Sequence, residues 1–148
     1  YLKSNPYQLK PKDILMKKIL TLIAALLATG TFAFAGEFPD ISIAELKAAI
    51  AEGKVTVIDV NGPTSYANGH IPGAIDFSAN KDTLASVLPE SKDALVVAYC
   101  GGPSCNAYSK AATAAAGLGY KNVKHLAAGI SGWLQAGEAT EKAADKKS

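Results

Sequence analysis

The two cysteines of the chain both fall in one short stretch, "VVAYCGGPSCNAYSKAA", residues 96–112. An apolar run stops at Cys100, a glycine-rich loop follows, and Ala-rich sequence with helical character comes after Cys105. Only an ionised thiol is a strong sulfur nucleophile, and a free cysteine with a pKa of about 8.5 is mostly protonated at neutral pH. Bringing that pKa down to about 6.5 needs about 2.7 kcal/mol of differential stabilisation. A helix N-terminus typically supplies about 0.3–1 kcal/mol, so the remainder must come from loop amides curled toward one anionic sulfur. Gly101 and Gly102 have the conformational freedom for such a curl, and the Ser104 hydroxyl is a further donor. Pro103 fixes the turn but offers no N–H. Cys100 is therefore the candidate nucleophile, and Gly101, Gly102, Ser104, Cys105 and Asn106 form the loop that would cradle its substrate. Three roles are open to Cys105: a resolving or regulatory thiol, an inert packed side chain, or half of a permanent disulfide. Bridging to Cys100 needs Cα atoms within about 7 Å, which a curled loop can supply.

These residues need elements to hold them. "SIAE", residues 42–45, has the form of a capping box that starts a helix running to about Glu52, with Gly53 as its stop. "VTVIDV", residues 55–60, and "ALVVAY", residues 94–99, are apolar enough for strands covered on both faces. "NGP" at 61–63 reads as a turn, and residues 69–78 as a loop entering a short strand near Ala74–Phe77. Further helix is expected near Asp82–Leu88 and over Asn106–Leu118, then a strand at "NVKHL" and a closing helical turn in "GISGWLQAG". Strands alternating with helices predict an α/β fold, a mainly parallel central sheet flanked by helices. Ligands bind such sheets beyond the carboxyl ends of the strands, where Asp59 and Cys100 fall.

The chain has 148 residues and suits one domain. Met16 is followed by two lysines, an apolar run and a small-residue site, "AFA", before Gly36. Residues 16–35 thus read as a signal peptide cut near Ala35–Gly36, with 1–15 a non-native upstream segment and 138–148 a charged flexible tail. The apolar run is shorter than the roughly 20 residues a membrane span requires. From Gly36 onward ten lysines face twelve acids, a formal charge of −2, and the chain contains no arginine. That balance provides no basic stripe for nucleic acid. Periplasmic or secreted localisation is expected, an oxidising setting in which two cysteines can pair.

Residues 42–137 resemble a rhodanese-homology domain. The resemblance is carried by "VIDVNGPTSYANGHIPGAIDFS", by "VVAYCGGPSC" with "SKAA" after it, and by "GYKNVKHLAAGISGW". It implies a single rhodanese-like domain spanning 36–137, with sulfurtransferase chemistry at Cys100. There the thiolate would take sulfane sulfur from a small donor such as thiosulfate or polysulfide, become a persulfide, and pass the sulfur to a thiol or other thiophilic acceptor. The acceptor could be a small molecule or an envelope protein, and no cofactor or metal is implied. The chain departs from the family at Asn61, where many members have arginine, and in its loop, which has no basic residue and resembles the Cys-x4-Cys variants. Two other readings stay open: a sulfur-carrier module without turnover, and a Cys100–Cys105 redox switch. Phosphatase and arsenate-reductase loops place arginine six residues after their cysteine. Here that residue is Asn106, which decides against them.

Outside the loop, His70 in "GHIPGA" is expected to bond backbone rather than act as a general base. His125 is expected at the surface, Trp133 in the core, and Asp59 tying loops at the sheet end. Lys110 and Lys124 are expected on solvated faces. Two cysteines and two distant histidines show no zinc-ligand spacing.

Overall fold

The computed structural model describes residues 38–143. Residues 1–37, where the signal peptide and the segment before it were expected, and positions 144–148 lie outside the described residues.

Ser42 opens the first helix, α1 (Ile43–Ala51), through a complete capping box with Glu45. Strand β1 (Val55–Asp59) follows. Helix α2 (Pro63–Asn68) stands where the sequence suggested only a turn. Gly62 takes φ 90° and Pro63 occupies the first helical turn, where its missing N–H costs nothing and its fixed φ suits the helix. Strand β2 (Ile75–Asp76) is shorter than expected and passes into α3 (Phe77–Asn80), a 3-10 turn (Lys81–Thr83) and α4 (Leu84–Val87). Strand β3 (Leu95–Tyr99), helix α5 (Tyr108–Gly117), strand β4 (Asn122–Leu126) and helix α6 (Gly129–Gln135) complete the fold.

The four strands form one parallel sheet in the order β2-β1-β3-β4. The fold is therefore α/β, as the alternation of elements predicted. Register puts Asp59 beside Tyr99, and Tyr99 beside Leu126. Three strands thus end level, and Cys100 emerges from the central one. The chain leaves β1 toward β2 on one side and β3 on the other, so this end is a topological switch point, where open α/β sheets form ligand crevices.

Both faces of the sheet are buried. Ile58, Val96, Ala98 and Val123 pack with Ala111, Ala112 and Ala115 of α5. On the opposite face Val57, Val97, Tyr99 and Leu126 pack with Leu46 and Trp133. Adjacent residues of a strand serve opposite faces because side chains alternate across the pleat. The three alanines of α5 have no exposed area, and such small side chains let the helix lie close to β3.

Residues 138–141 are tied to the domain rather than solvated. The backbones of Glu141 and His70 bond in both directions at 2.9 Å. Trp133 Nε1 donates to the Ala139 carbonyl at 2.8 Å, and Lys47 pairs with Glu138 at 2.8 Å. The charged composition of this stretch concealed the anchors, which exist only once the domain is folded.

The close seat of α5 gives a stability test. Ala112→Leu should cost about 1–3 kcal/mol by overpacking against the sheet. Thr113→Leu, on the exposed face one residue on, should change stability by no more than about 0.5 kcal/mol. Urea unfolding of the two variants measures both.

Candidate active site

Below the loop, Tyr99 and Asp59 tie the strand ends together. The Tyr99 hydroxyl donates to the Asp59 carboxylate and accepts the Ile71 amide at 3.0 Å. The other carboxylate oxygen of Asp59 accepts the Asn61 amide at 2.7 Å. Asp59 is 1% exposed and Tyr99 fully buried, so each polar group needs the other. Burial, reinforced by the neighbouring carboxylate, pushes the Tyr99 phenol above its ordinary pKa and keeps it protonated as a donor. Asp59 thus ties loops together, as expected. The role of Tyr99 was hidden because a tyrosine closing an apolar strand reads simply as core.

Above this level the backbone carbonyls of Cys100 and Gly101 accept the amides of Ile130 and Ser131 at 2.9 and 3.0 Å. The first turn of α6 therefore holds the start of the Cys loop with amides that have no partner within the helix. Gly129 makes the approach possible. Its φ is 58°, and a Cβ there would lie 2.5 Å from the Gly102 nitrogen and 2.6 Å from the Cys100 carbonyl oxygen. The sequence signal for it was present in "AAGISGW", but which surface the glycine admits depends on the packing of α6.

Cys100 and Cys105 form a disulfide with Cα atoms 6.3 Å apart. The bond speaks against an inert, separately packed Cys105 and is compatible with both the regulatory and the permanent-disulfide role, and no cysteine among the described residues is free. Cys100 is 3% exposed, while Cys105 is partly exposed. The Cys105 amide donates to the Gly102 carbonyl at 2.9 Å, closing the turn. The Cys100 sulfur lies 3.2 Å from the Cys105 carbonyl oxygen, and as a disulfide sulfur it has no proton to donate.

Several loop details differ from expectation. Neither Gly101 nor Gly102 has a positive φ; the loop exploits the missing side chain instead. A Cβ on Gly102 would sit 2.6 Å from the Ser131 hydroxyl oxygen. Helix α5 begins at Tyr108, and neither Asn106 nor its cap residue Ala107 caps it through a side chain. Ser104 and Asn106 are exposed, and Ser104 makes no bond to either sulfur. The amides of Gly101, Gly102 and Ser104 donate to no acceptor among the described residues. Asn61 stands beside the loop, its Oδ1 being 3.8 Å from where a Gly101 Cβ would lie. Its buried Nδ2 has no partner.

His125 is buried, contrary to the surface position expected. It is 7% exposed, its Nδ1 lies 2.9 Å from the Phe38 carbonyl oxygen, and its ring stacks on Tyr108. Period-two alternation from Val123 places it on the α5 face, a signal overridden by the polar character of histidine. His70 is fully buried, with Nδ1 2.8 Å from the Tyr66 carbonyl oxygen and the ring stacked on Tyr66. Its bonding is to backbone, as expected, and it makes no contact with the Cys loop. Trp133 is in the core. No cluster of three or more His, Cys, Asp or Glu side chains able to hold a metal occurs among the described residues, and no helix there is long and apolar enough to cross a membrane.

A strand-end cysteine at the switch point of a parallel sheet, its loop clamped by the last helix, marks the candidate site on this α/β scaffold. Residues 42–136 match the rhodanese-like domain family, and the chain belongs to that family. It is 36% identical over 105 residues to the thiosulfate sulfurtransferase GlpE of Pseudomonas entomophila, covering 66% of this chain and 85% of the relative. It is 39% identical over 98 residues to the HTH-type transcriptional regulator Rv0324 of Mycobacterium tuberculosis. That match covers 66% of this chain but only 42% of the regulator. Among solved structures, the human single-domain sulfurtransferase TSTD1 superposes with a TM-score of 0.52 at 26% identity, over 66% of this chain and 96% of that one.

Two substitutions test the clamp and the strand-end tie. Gly129→Ala should destabilise the domain more than Gly53→Ala. Both glycines have positive φ, but only Gly129 has backbone within contact distance. Tyr99→Phe should cost about 1–3 kcal/mol, because it leaves a buried carboxylate and an amide without their partner. Denaturant midpoints decide both.

Proposed function

We propose that the chain is an exported sulfurtransferase whose reduced Cys100 carries sulfane sulfur. The observation that carries this reading is the position of Cys100. It ends the central strand at the switch point, opens a loop with unpaired amides, and lies within the rhodanese-like match. The two thiosulfate sulfurtransferases among the relatives, at 36% and 30% identity, support the reaction class.

In the first half-reaction the Cys100 thiolate attacks the sulfane sulfur of the donor. A Cys100 S–S bond forms, the bond to the donor's leaving group breaks, and that group departs with the electron pair, as sulfite if thiosulfate is the donor. An acceptor thiolate then attacks the outer sulfur, takes it as a persulfide, and returns Cys100 as thiolate. The amides of Gly101, Gly102 and Ser104 have no acceptor among the described residues, and in this reading they would receive negative charge on the outer sulfur. The loop has no lysine and the chain no arginine, so no guanidinium grips a doubly charged donor. This favours polysulfide or a persulfide over thiosulfate. Asn61, at the position where many family members have arginine, has a buried and unpartnered Nδ2 beside the loop and is the donor proposed in its stead.

We place the mature domain from about residue 36, in the periplasm or outside the cell, with a small thiol or an envelope protein as acceptor. The disulfide favours one addition: oxidation closes the site, and only the reduced protein accepts sulfur. Mass spectrometry tests this. After reduction and exposure to thiosulfate or polysulfide, Cys100 should gain one sulfur atom. The gain should be lost in Cys100→Ala, kept in Cys105→Ala, and absent from unreduced protein. Stoichiometric loading without cyanide-dependent turnover would instead identify a sulfur carrier. No loading from any donor refutes the proposal.

A further inference from the structure

Beside the Cys loop lies a cavity of about 470 Å³. Phe38, Asp40, Ser104, Cys105, Tyr108 and His125 are among its lining residues, and Cys100 is not. The disulfide is thus asymmetric: one sulfur belongs to a cavity-lining residue, and the other to a residue 3% exposed at the strand end. The charge is asymmetric too. No lysine lines the cavity, and Asp40 is its one acidic residue. The other titratable lining groups are occupied with each other, the Tyr108 ring stacking on His125 and His125 Nδ1 meeting the Phe38 carbonyl.

We propose that this cavity is a docking site for a small neutral or amine-bearing thiol, which opens the disulfide by attacking the sulfur of Cys105. The new bond joins the incoming sulfur to Cys105, the Cys100–Cys105 bond breaks, and its electron pair leaves on Cys100 as thiolate. A second thiol attacks the incoming sulfur, forms the small-molecule disulfide and frees Cys105. Two thiols thereby deliver two electrons and complete the reduction. Access selects this direction. Exchange requires access to the attacked sulfur, and of the two cysteines only Cys105 lines the cavity. A carboxylate-bearing thiol would meet the Asp40 charge with no lysine to offset it.

The inference starts from the disulfide and does not require sulfur loading. Protein that opens at Cys105 but never forms a persulfide would refute the sulfurtransferase reading alone.

The test uses oxidised full-length protein mixed at low salt with cysteamine, 2-mercaptoethanol or 3-mercaptopropionate, then quenched in acid at early times. Fragmentation of the peptide between Lys92 and Lys110 locates the mixed disulfide. Rates are normalised to those of the same thiols with 2-hydroxyethyl disulfide, which removes their intrinsic reactivity differences. The adduct should lie on Cys105, and cysteamine should exceed 3-mercaptopropionate by about five-fold, an effect weakened by salt. Asp40 Oδ1 accepts the Ala127 amide at 2.7 Å, an acceptor that Asp40→Asn can retain. This variant should bring the ratio close to one with the adduct still on Cys105. Ser104→Tyr, at an exposed position, should slow all three thiols several-fold by filling the cavity. An adduct on Cys100, a ratio near one in the unaltered protein, or unchanged rates in Ser104→Tyr would overturn the proposal.

Discussion

The structure depends on the contact between the first turn of α6 and the start of the Cys loop. Two amides, from Ile130 and Ser131, reach the carbonyls of Cys100 and Gly101 at about 3 Å. A helix end always has amides lacking intrahelical acceptors, and a loop leaving a strand always has carbonyls lacking ladder partners. Here each set satisfies the other. The cost is a close backbone approach, which only a residue without a side chain and with φ near 58° permits, and Gly129 is that residue. Every later property of the site follows from a loop held in this position.

Beneath the clamp, Asp59 and Tyr99 perform a related task at the strand ends. A carboxylate 1% exposed is tolerable because a phenol and an amide donate to it. The phenol in turn holds the Ile71 amide. β1, β3 and the segment before β2 are thereby joined at the level where Cys100 leaves the sheet. The core on both faces supplies most of the stability, while these few polar bonds give the site end its definite form. Between the clamp and this tie, the loop from Gly101 to Ala107 is short and closed by its own disulfide. Chemistry that needs a thiolate therefore requires prior reduction.

Much of the scaffold was legible from local pattern. The Ser42–Glu45 cap, the apolar strands at 55–59 and 95–99, and the alanine stripe of α5 follow from capping chemistry and periodicity. Helix α2 was missed because Gly-Pro reads equally as a turn and as a helix start. His125 was misplaced because its residue type outweighed its position in the alternation of β4. Glu141 was assigned to a solvated tail because its partner, His70, lies 71 residues away along the chain.

The sequence alone determined the family, the α/β alternation and the cysteine that ends the central strand. These properties reside in residue type and in spacing over a few turns or strands. Tertiary structure decided that the two cysteines are joined, that Gly129 admits the loop, that Tyr99 holds Asp59, and that Cys105 rather than Cys100 lines the cavity. Each of these depends on atoms from distant segments meeting within a few ångströms, or on which side of a curled loop faces solvent. Neither is encoded in local spacing; both arise only when the sheet and its helices are packed.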